Sequence, residues 1–387
     1  MIERLRILLI TQILGPAGAE RQIAHLAAGL AALSHDVTLV CIGSAPAADR
    51  EKARRAGVAV IELGAFSRRE RAGQMGRLTL IARRAQVVVA SRWDATFWGR
   101  IAAILARRPV LVIEHALYRS RQTSEAGKPR ARWIAVHNRV LDPFTYATVA
   151  CAGAQLPLLR SEGVAARKLV LVPNGVPVGE LRAAADDVAV ADGGRPGLGI
   201  DPGALVLVHV ARLTALKNQR QTLATARELR AEGLDVHVLL QGDGEDRAEL
   251  EAESANEPWV HLLGARDQVA PFFGVGDLAV LPSLAEAMPM VVAEALAVGV
   301  ALVAFDVGDV GAILKRTEAG IAVPVGDGEA FTAACRRLLT DPVERARLAA
   351  HARAAGETFD AGLMSRRYAA LLEGAVNRRP PHESQLQ

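Results

Sequence analysis

The residues best suited to chemistry lie in PSLAEAMPMVVAEALAVG, residues 282–299, where Glu286 and Glu294 flank Pro289. Proline suits the first turn of a helix, because the backbone N–H it lacks would have no partner there. A helix opening at Pro289, just after Met288, leaves the N–H groups around Met290 and Val291 as an anion site of a kind that takes a diphosphate. Glu294 then lies about one turn deeper, roughly 6 Å along the axis, near the spacing between a phosphate and its ribose. Glu286, ahead of the helix, faces the sugar end. A second stretch, HVARLTALKNQ, puts Arg212 and Lys217 just past a strand end. Two cations there neutralise a diphosphate leaving group without a metal. At an effective dielectric near 20, a charge pair about 4 Å apart is worth about 4 kcal/mol, and only the part that grows in the transition state speeds a reaction.

These groups need a scaffold that brings loop residues to one edge. The first half alternates β-branched runs with helical patterns: strands at 6–11, 36–42, 58–63, 86–91, 109–115, 145–151 and 168–176, with helices from Glu20 to Leu33 and Arg68 to Ala85. Near-continuous apolar strands separated by helices predict a parallel sheet covered on both faces. Residues 178–203, rich in Asp, Gly and Ala, read as a linker. A second series then runs through strands at 204–210, 235–242, 260–264, 277–283 and 301–307. The fold class is α/β, with two Rossmann-like domains facing an interdomain cleft. Their spans are 1–177 and 204–360, the second carrying both charged stretches. A helix at 361–379 packs back on the first domain, and a disordered tail follows at 380–387. Ligands of open parallel sheets sit beyond the C-terminal strand ends, so chemistry is expected in that cleft. His115 closes PVLVIEH at such an end, where the acceptor should enter, and Tyr118, Arg119 and Arg121 follow as candidate contacts to an acceptor phosphate. A structural histidine and a solvated loop are the competing readings.

The chain of 387 residues exceeds what one core usually supports, which agrees with two domains. Cys41, Cys151 and Cys335 lie far apart in apolar runs and read as reduced core residues, which favours the cytosol. The chain opens directly into a strand pattern, and no run is long enough to span a membrane. A formal charge of +4 hides an asymmetry: residues 1–180 hold 26 Lys and Arg against 13 Asp and Glu, whereas residues 181–387 hold 20 against 29. A basic first half fits an anionic membrane surface or a lipid-linked phosphate. The aromatics that stack single-stranded nucleic acid are not interleaved with the charges, so no nucleic-acid partner is expected. A solvated basic face is the plain alternative.

Taken in order, Arg212 with Lys217, QGDGEDRAELE with Gly242, the segment from Glu286 to Glu294, and VAFDVGDVGAIL resemble the donor half of retaining glycosyltransferase family 4, of the GT-B fold. PNGV at 173–176 and the turn GPAGAERQIAHLA, with Gly15 and Gly18, extend the resemblance over essentially the whole chain. It implies that the positions of Glu286 and Glu294 contact the donor's sugar or phosphate and its ribose. It also implies that Arg212 and Lys217 grip the diphosphate, and that His115 faces the substrate. The sequence departs from the family at Ala287, where glycine is usual, at Met290, where a polar residue is commoner, and in the turn Gly15–Pro16–Ala17–Gly18.

The expected activity is transfer of a hexose or N-acetylhexosamine from a UDP- or GDP-linked sugar to a saccharide or lipid-linked acceptor, with retention and no cofactor. The enzyme is read as cytoplasmic, peripheral on the inner membrane face. A non-catalytic subunit that binds a sugar lipid, or a GT-B nucleotide-sugar epimerase, would share the fold. A lone glycine cluster at 242–244 is weak evidence for a dinucleotide site, since GxGxxG is missing from the first βα turn. Two carboxylates on one element serve a glycosidase poorly, because its pair flanks the scissile bond.

Overall fold

A computed structural model describes residues 4–15, 17–64, 66, 70–115, 136–187, 193–266 and 268–381. The chain divides into two compact units. Unit 1 comprises Met1–Gly175 together with Ala361–Gln387, and unit 2 comprises Val176–Asp360.

Unit 1 is built on β1 (Arg6–Thr11), β2 (Asp36–Cys41), β3 (Ala59–Glu62), β4 (Val87–Ser91), β5 (Val110–Glu114), β6 (Ala147–Ala150) and β7 (Leu169–Leu171). They form one parallel sheet in the order β3-β2-β1-β4-β5-β6-β7. Successive strand side chains point to opposite faces, and both faces are apolar. Ile7 and Leu9 join the core shared with Ile23 and Leu26 of the helix Gly18–Ala32. Leu8 and Ile10 join Leu78 of the helix Arg71–Arg84 and Ala102 of the helix Trp93–Ala106. The helix Ala361–Val376 completes the first of these cores with Met364, Tyr368, Leu371 and Leu372. Each such large side chain contributes about 1.5–3 kcal/mol when fully buried.

Unit 2 holds β8 (Leu205–Val210), β9 (Val236–Gln241), β10 (Val260–Gly264), β11 (Leu278–Leu281), β12 (Leu302–Phe305) and β13 (Gly320–Val323). Their order is β10-β9-β8-β11-β12-β13, again all parallel. In each sheet the order reverses beside the first strand, between β1 and β4 and between β8 and β11, and such reversals open the crevice used by ligands.

The segment 178–203 is not a free linker. It carries the helix Val178–Ala185, which packs on the helices Ala270–Val275 and Met290–Val298, and all of it belongs to unit 2. Arg182 ties it down by donating to Ala297 O at 2.9 Å. Of the residues that suggested a linker, Gly194, Pro196 and Gly197 lie in the short helix Gly194–Gly197, and Gly193, Gly199, Pro202 and Gly203 lie in turns beside it. The unit boundary falls at Gly175, and residues 382–387 of the expected tail lie outside the described residues.

All three cysteines are buried, and burial pushes the Cys41 thiol up to about 12. Among the described residues no helix is long and apolar enough to cross a membrane.

Candidate active site

In unit 2 the loop after β8 carries Arg212 and Lys217. Ala211 N donates to Gln241 O at 3.0 Å and Leu213 N to Asp243 O at 3.0 Å, so this loop lies backbone to backbone against the one following β9. Gly242 makes that approach possible. Its φ is +145°, and a Cβ there would lie 1.8 Å from Ala211 O. Gln219, buried in the first turn of the helix Gln219–Ala231, donates through Nε2 to Arg212 O at 2.8 Å. The backbone of Arg212 is therefore held at both sides while its side chain is exposed. Lys217, at the end of a short 3-10 turn, forms an ion pair with Glu286. Leu284 N donates to Leu216 O at 2.8 Å, tying the loop after β11 to the loop after β8. Behind them His209 is fully buried, with Nδ1 2.9 Å from Thr222 Oγ1. Burial first, and then the Lys217 charge, push its imidazole down to about 3.

The helix after Glu286 runs Met290–Val298, one residue later than expected. Pro289 is its N-cap, extended at ψ 134°, so Met290 is the first helical residue. Met288, Pro289 and Met290 are buried and Val291 is half-buried. Asp309 N donates to Ala287 O at 3.0 Å, anchoring the turn that precedes the cap. Glu294 is buried in the second turn, 2 % exposed. Unit 2 thus assembles Arg212, Lys217, Gly242, Glu286 and the start of the helix with Glu294 on loops at the C-terminal ends of its strands. Two basic residues, two carboxylates and a helix N-terminus, whose free N–H groups favour anions, thus share one end of the unit 2 sheet.

Gly15, Gly18 and His115 belong to unit 1. Gly18 opens its helix behind the N-cap Ala17. The Glu20 carboxylate folds back on this turn: Oε2 accepts from Ala17 N at 3.2 Å, and a Cβ on Gly15 would lie 2.8 Å from the same oxygen. Glu20 is buried, and its other oxygen pairs with Arg92. Arg92 directly follows β4 and caps the helix Trp93–Ala106 at φ +72° and ψ 130°. For a non-glycine residue that conformation costs on the order of 1–3 kcal/mol. His115 follows β5, which ends at Glu114, and its Nε2 lies 3.0 Å from Ser91 Oγ. Burial, helped by the Arg92 charge, pushes its imidazole down to about 4, so it is neutral at pH 7. Glu20, Ser91 and Arg92 escaped the sequence reading. Only Ser91, at a strand end, carried a local signal. Tyr118, Arg119, Arg121 and Pro16 lie outside the described residues.

Residues 204–341 match the family profile described as Glycosyl transferases group 1, and residues 17–175 match the one described as Glycosyl transferase 4-like domain. Among curated relatives, the D-inositol 3-phosphate glycosyltransferase of Rhodococcus erythropolis (strain PR4 / NBRC 100887) is 31% identical over 180 residues, 43% of this chain and 41% of that protein. The putative glycosyltransferase EpsF of Bacillus subtilis (strain 168) is 28% identical over 226 residues, 58% of this chain and 56% of that protein. The matches thus span about half the length of these relatives. The crystal structure of Anabaena HepE in complex with UDP superposes with a TM-score of 0.82 at 19% identity, covering 96% of this chain and 100% of that one. The shared fold is GT-B.

Proposed function

Since the chain belongs to the Glycosyl transferases group 1 family, we propose that it transfers a hexose or N-acetylhexosamine from a UDP- or GDP-linked sugar to a saccharide acceptor, with retention and without a metal ion. The observation that carries this reading is the pairing of Lys217 with Glu286 beside the helix start at Met290, at the strand-order reversal of unit 2. The nucleotide diphosphate lies on Arg212, Lys217 and the N–H groups at the start of the helix, and Glu294 accepts from the ribose hydroxyls. Lys217 turns from Glu286 to the diphosphate, leaving Glu286 to accept from a sugar hydroxyl. The bond from the anomeric carbon to the phosphate oxygen breaks as the acceptor oxygen bonds to that carbon on the same face. The acceptor proton passes to a phosphate oxygen of the leaving group. The cations act because negative charge grows on the diphosphate as it departs. His115, neutral, meets the transferred sugar or the acceptor hydroxyl.

The solved complex of HepE with UDP supports the nucleotide assignment by similarity. A panel of UDP- and GDP-sugars screened by thermal melting tests it. One base should raise the melting temperature of the wild type and not of Glu294→Ala, because a ligand that binds only the folded state stabilises it. Stabilisation by no member of the panel refutes the reading.

The acceptor is proposed to be lipid-linked, in surface glycan synthesis, with the enzyme held on an anionic membrane. The basic excess of residues 1–180 supports this. The helix Ala47–Arg55 has no buried residue and carries Arg50, Lys52, Arg54 and Arg55. Glu51 and Glu62 pair with three of these cations, which reduces the field. Co-sedimentation with vesicles should rise with anionic lipid content and fall with salt, and binding indifferent to both would count against it.

A further inference from the structure

Arg92 is an unusual choice for its place. A helix N-cap favours Ser, Thr, Asp, Asn or Gly, whose side chain or backbone suits the position. Arg92 supplies no side-chain cap, and it adopts a left-handed φ of +72° that glycine would accept without strain. The local structure therefore gives no reason for arginine. The guanidinium has a partner 72 residues back in Glu20. That buried carboxylate also holds Ala17 N, so one side chain joins the turn after β1 to the crest after β4, at the strand-order reversal of unit 1. Ser91, the residue before Arg92, meets His115 Nε2 at 3.0 Å, and His115 Nδ1 is buried with no hydrogen-bond partner among the described residues.

We propose that Glu20 and Arg92 form a clasp that sets the position of His115, which makes Arg92 a positioning residue of unit 1. The proposal deepens the transferase reading and rests on it only for what His115 touches. The clasp fixes the Ser91–Arg92 peptide, hence the Ser91 hydroxyl, hence the ring that hydroxyl contacts. Arg92 also supplies the positive charge felt at His115, second to burial. The neighbouring Glu114 lies on the opposite face of β5 by strand alternation, where it feels the buried Arg100 and Glu162. Burial keeps the imidazole neutral and the Arg92 charge adds to it, so the ring the clasp positions can both donate and accept a hydrogen bond, as contact with a sugar hydroxyl requires.

The test uses the full chain as wild type, Arg92→Gly, Arg92→Lys and Glu20→Gln, with His115→Asn to assign the imidazole signals. Arg92→Gly relieves the strained φ and still serves as N-cap, but it leaves the buried Glu20 carboxylate without its cation, so it should melt below the wild-type temperature while staying folded. Its His115 titration midpoint, read by NMR, should rise by at least one pH unit from about 4. Arg92→Lys, which keeps the charge, should hold that midpoint low. Glu20→Gln keeps an acceptor for Ala17 N but breaks the ion pair, and should broaden or move the His115 resonances. A midpoint unmoved in Arg92→Gly, whatever its melting temperature, would show Arg92 to be structural only and overturn the proposal. The titration is run without nucleotide. Failure of the wild type to be stabilised by UDP and GDP, measured alongside, would therefore fault the donor assignment and leave the clasp standing.

Discussion

Replacing Lys217 by methionine removes the cation of the unit 2 site while keeping its apolar stem. The Lys217 and Glu286 side chains are 25% and 11% exposed, so both charges are partly shielded from water. At an effective dielectric near 20, a lysine about 4 Å from a phosphate oxygen interacts by about 4 kcal/mol. If about 3 kcal/mol of that develops as the diphosphate leaves, turnover falls at least about 100-fold. The same change strands Glu286 without its partner, at a stability cost of about 1–3 kcal/mol. The two effects separate in the double variant Lys217→Met with Glu286→Gln, which removes both charges. It should recover most of the lost melting temperature and none of the lost turnover, read as nucleoside diphosphate release under donor saturation. Turnover of Lys217→Met within a few-fold of wild type, or its recovery in the double variant, would refute the leaving-group role.

Gly242→Ala should destabilise the fold by several degrees of melting temperature or abolish soluble expression, because its Cβ would lie 1.8 Å from Ala211 O at a φ of +145°. An unchanged melting curve would contradict the packing of the two loops. Glu294→Gln should weaken nucleotide binding at least about 10-fold by calorimetry, the loss of one charge-assisted hydrogen bond of about 1.5–3 kcal/mol, and equal affinity would remove Glu294 from the ribose site. Stability should fall as pH drops below about 6.5. His25, His115 and His209 are pushed down to about 4, about 4 and about 3, so over that window the unfolded chain takes up protons that the folded chain does not. Each contributes up to about 1.4 kcal/mol per pH unit. Glu114, pushed up to about 7 by burial, works in the opposite sense and cancels one of the three in part. Urea midpoints at pH 7 and pH 5 that agree would contradict the burial of these rings.

Near-continuous β-branched runs made most strands readable, since a strand buried on both faces needs no alternation. The helix Trp93–Ala106 was missed. Its sequence WDATFWGRIAAILA is apolar on nearly every side, as befits a helix lying between β4 and β5, and Arg92 is no recognisable cap. β13 has only four residues, GIAV, too few to show a period. Arg212, Lys217, Glu286 and Glu294 could be proposed together from sequence because they sit within two short stretches whose spacing is local. The clasp was not, because Glu20 and Arg92 meet only once β1 and β4 lie side by side.

The helix Ala361–Val376 lends Met364, Tyr368, Leu371 and Leu372, with Ala369 and Ala375, to a core whose remaining buried members come from residues before Gly175. On the ribosome, domains form in the order in which their parts emerge. All of unit 2 is therefore available to fold while unit 1 still lacks the wall that this helix provides. The half translated first is the half finished last, since every strand of the second sheet precedes the helix that covers the first.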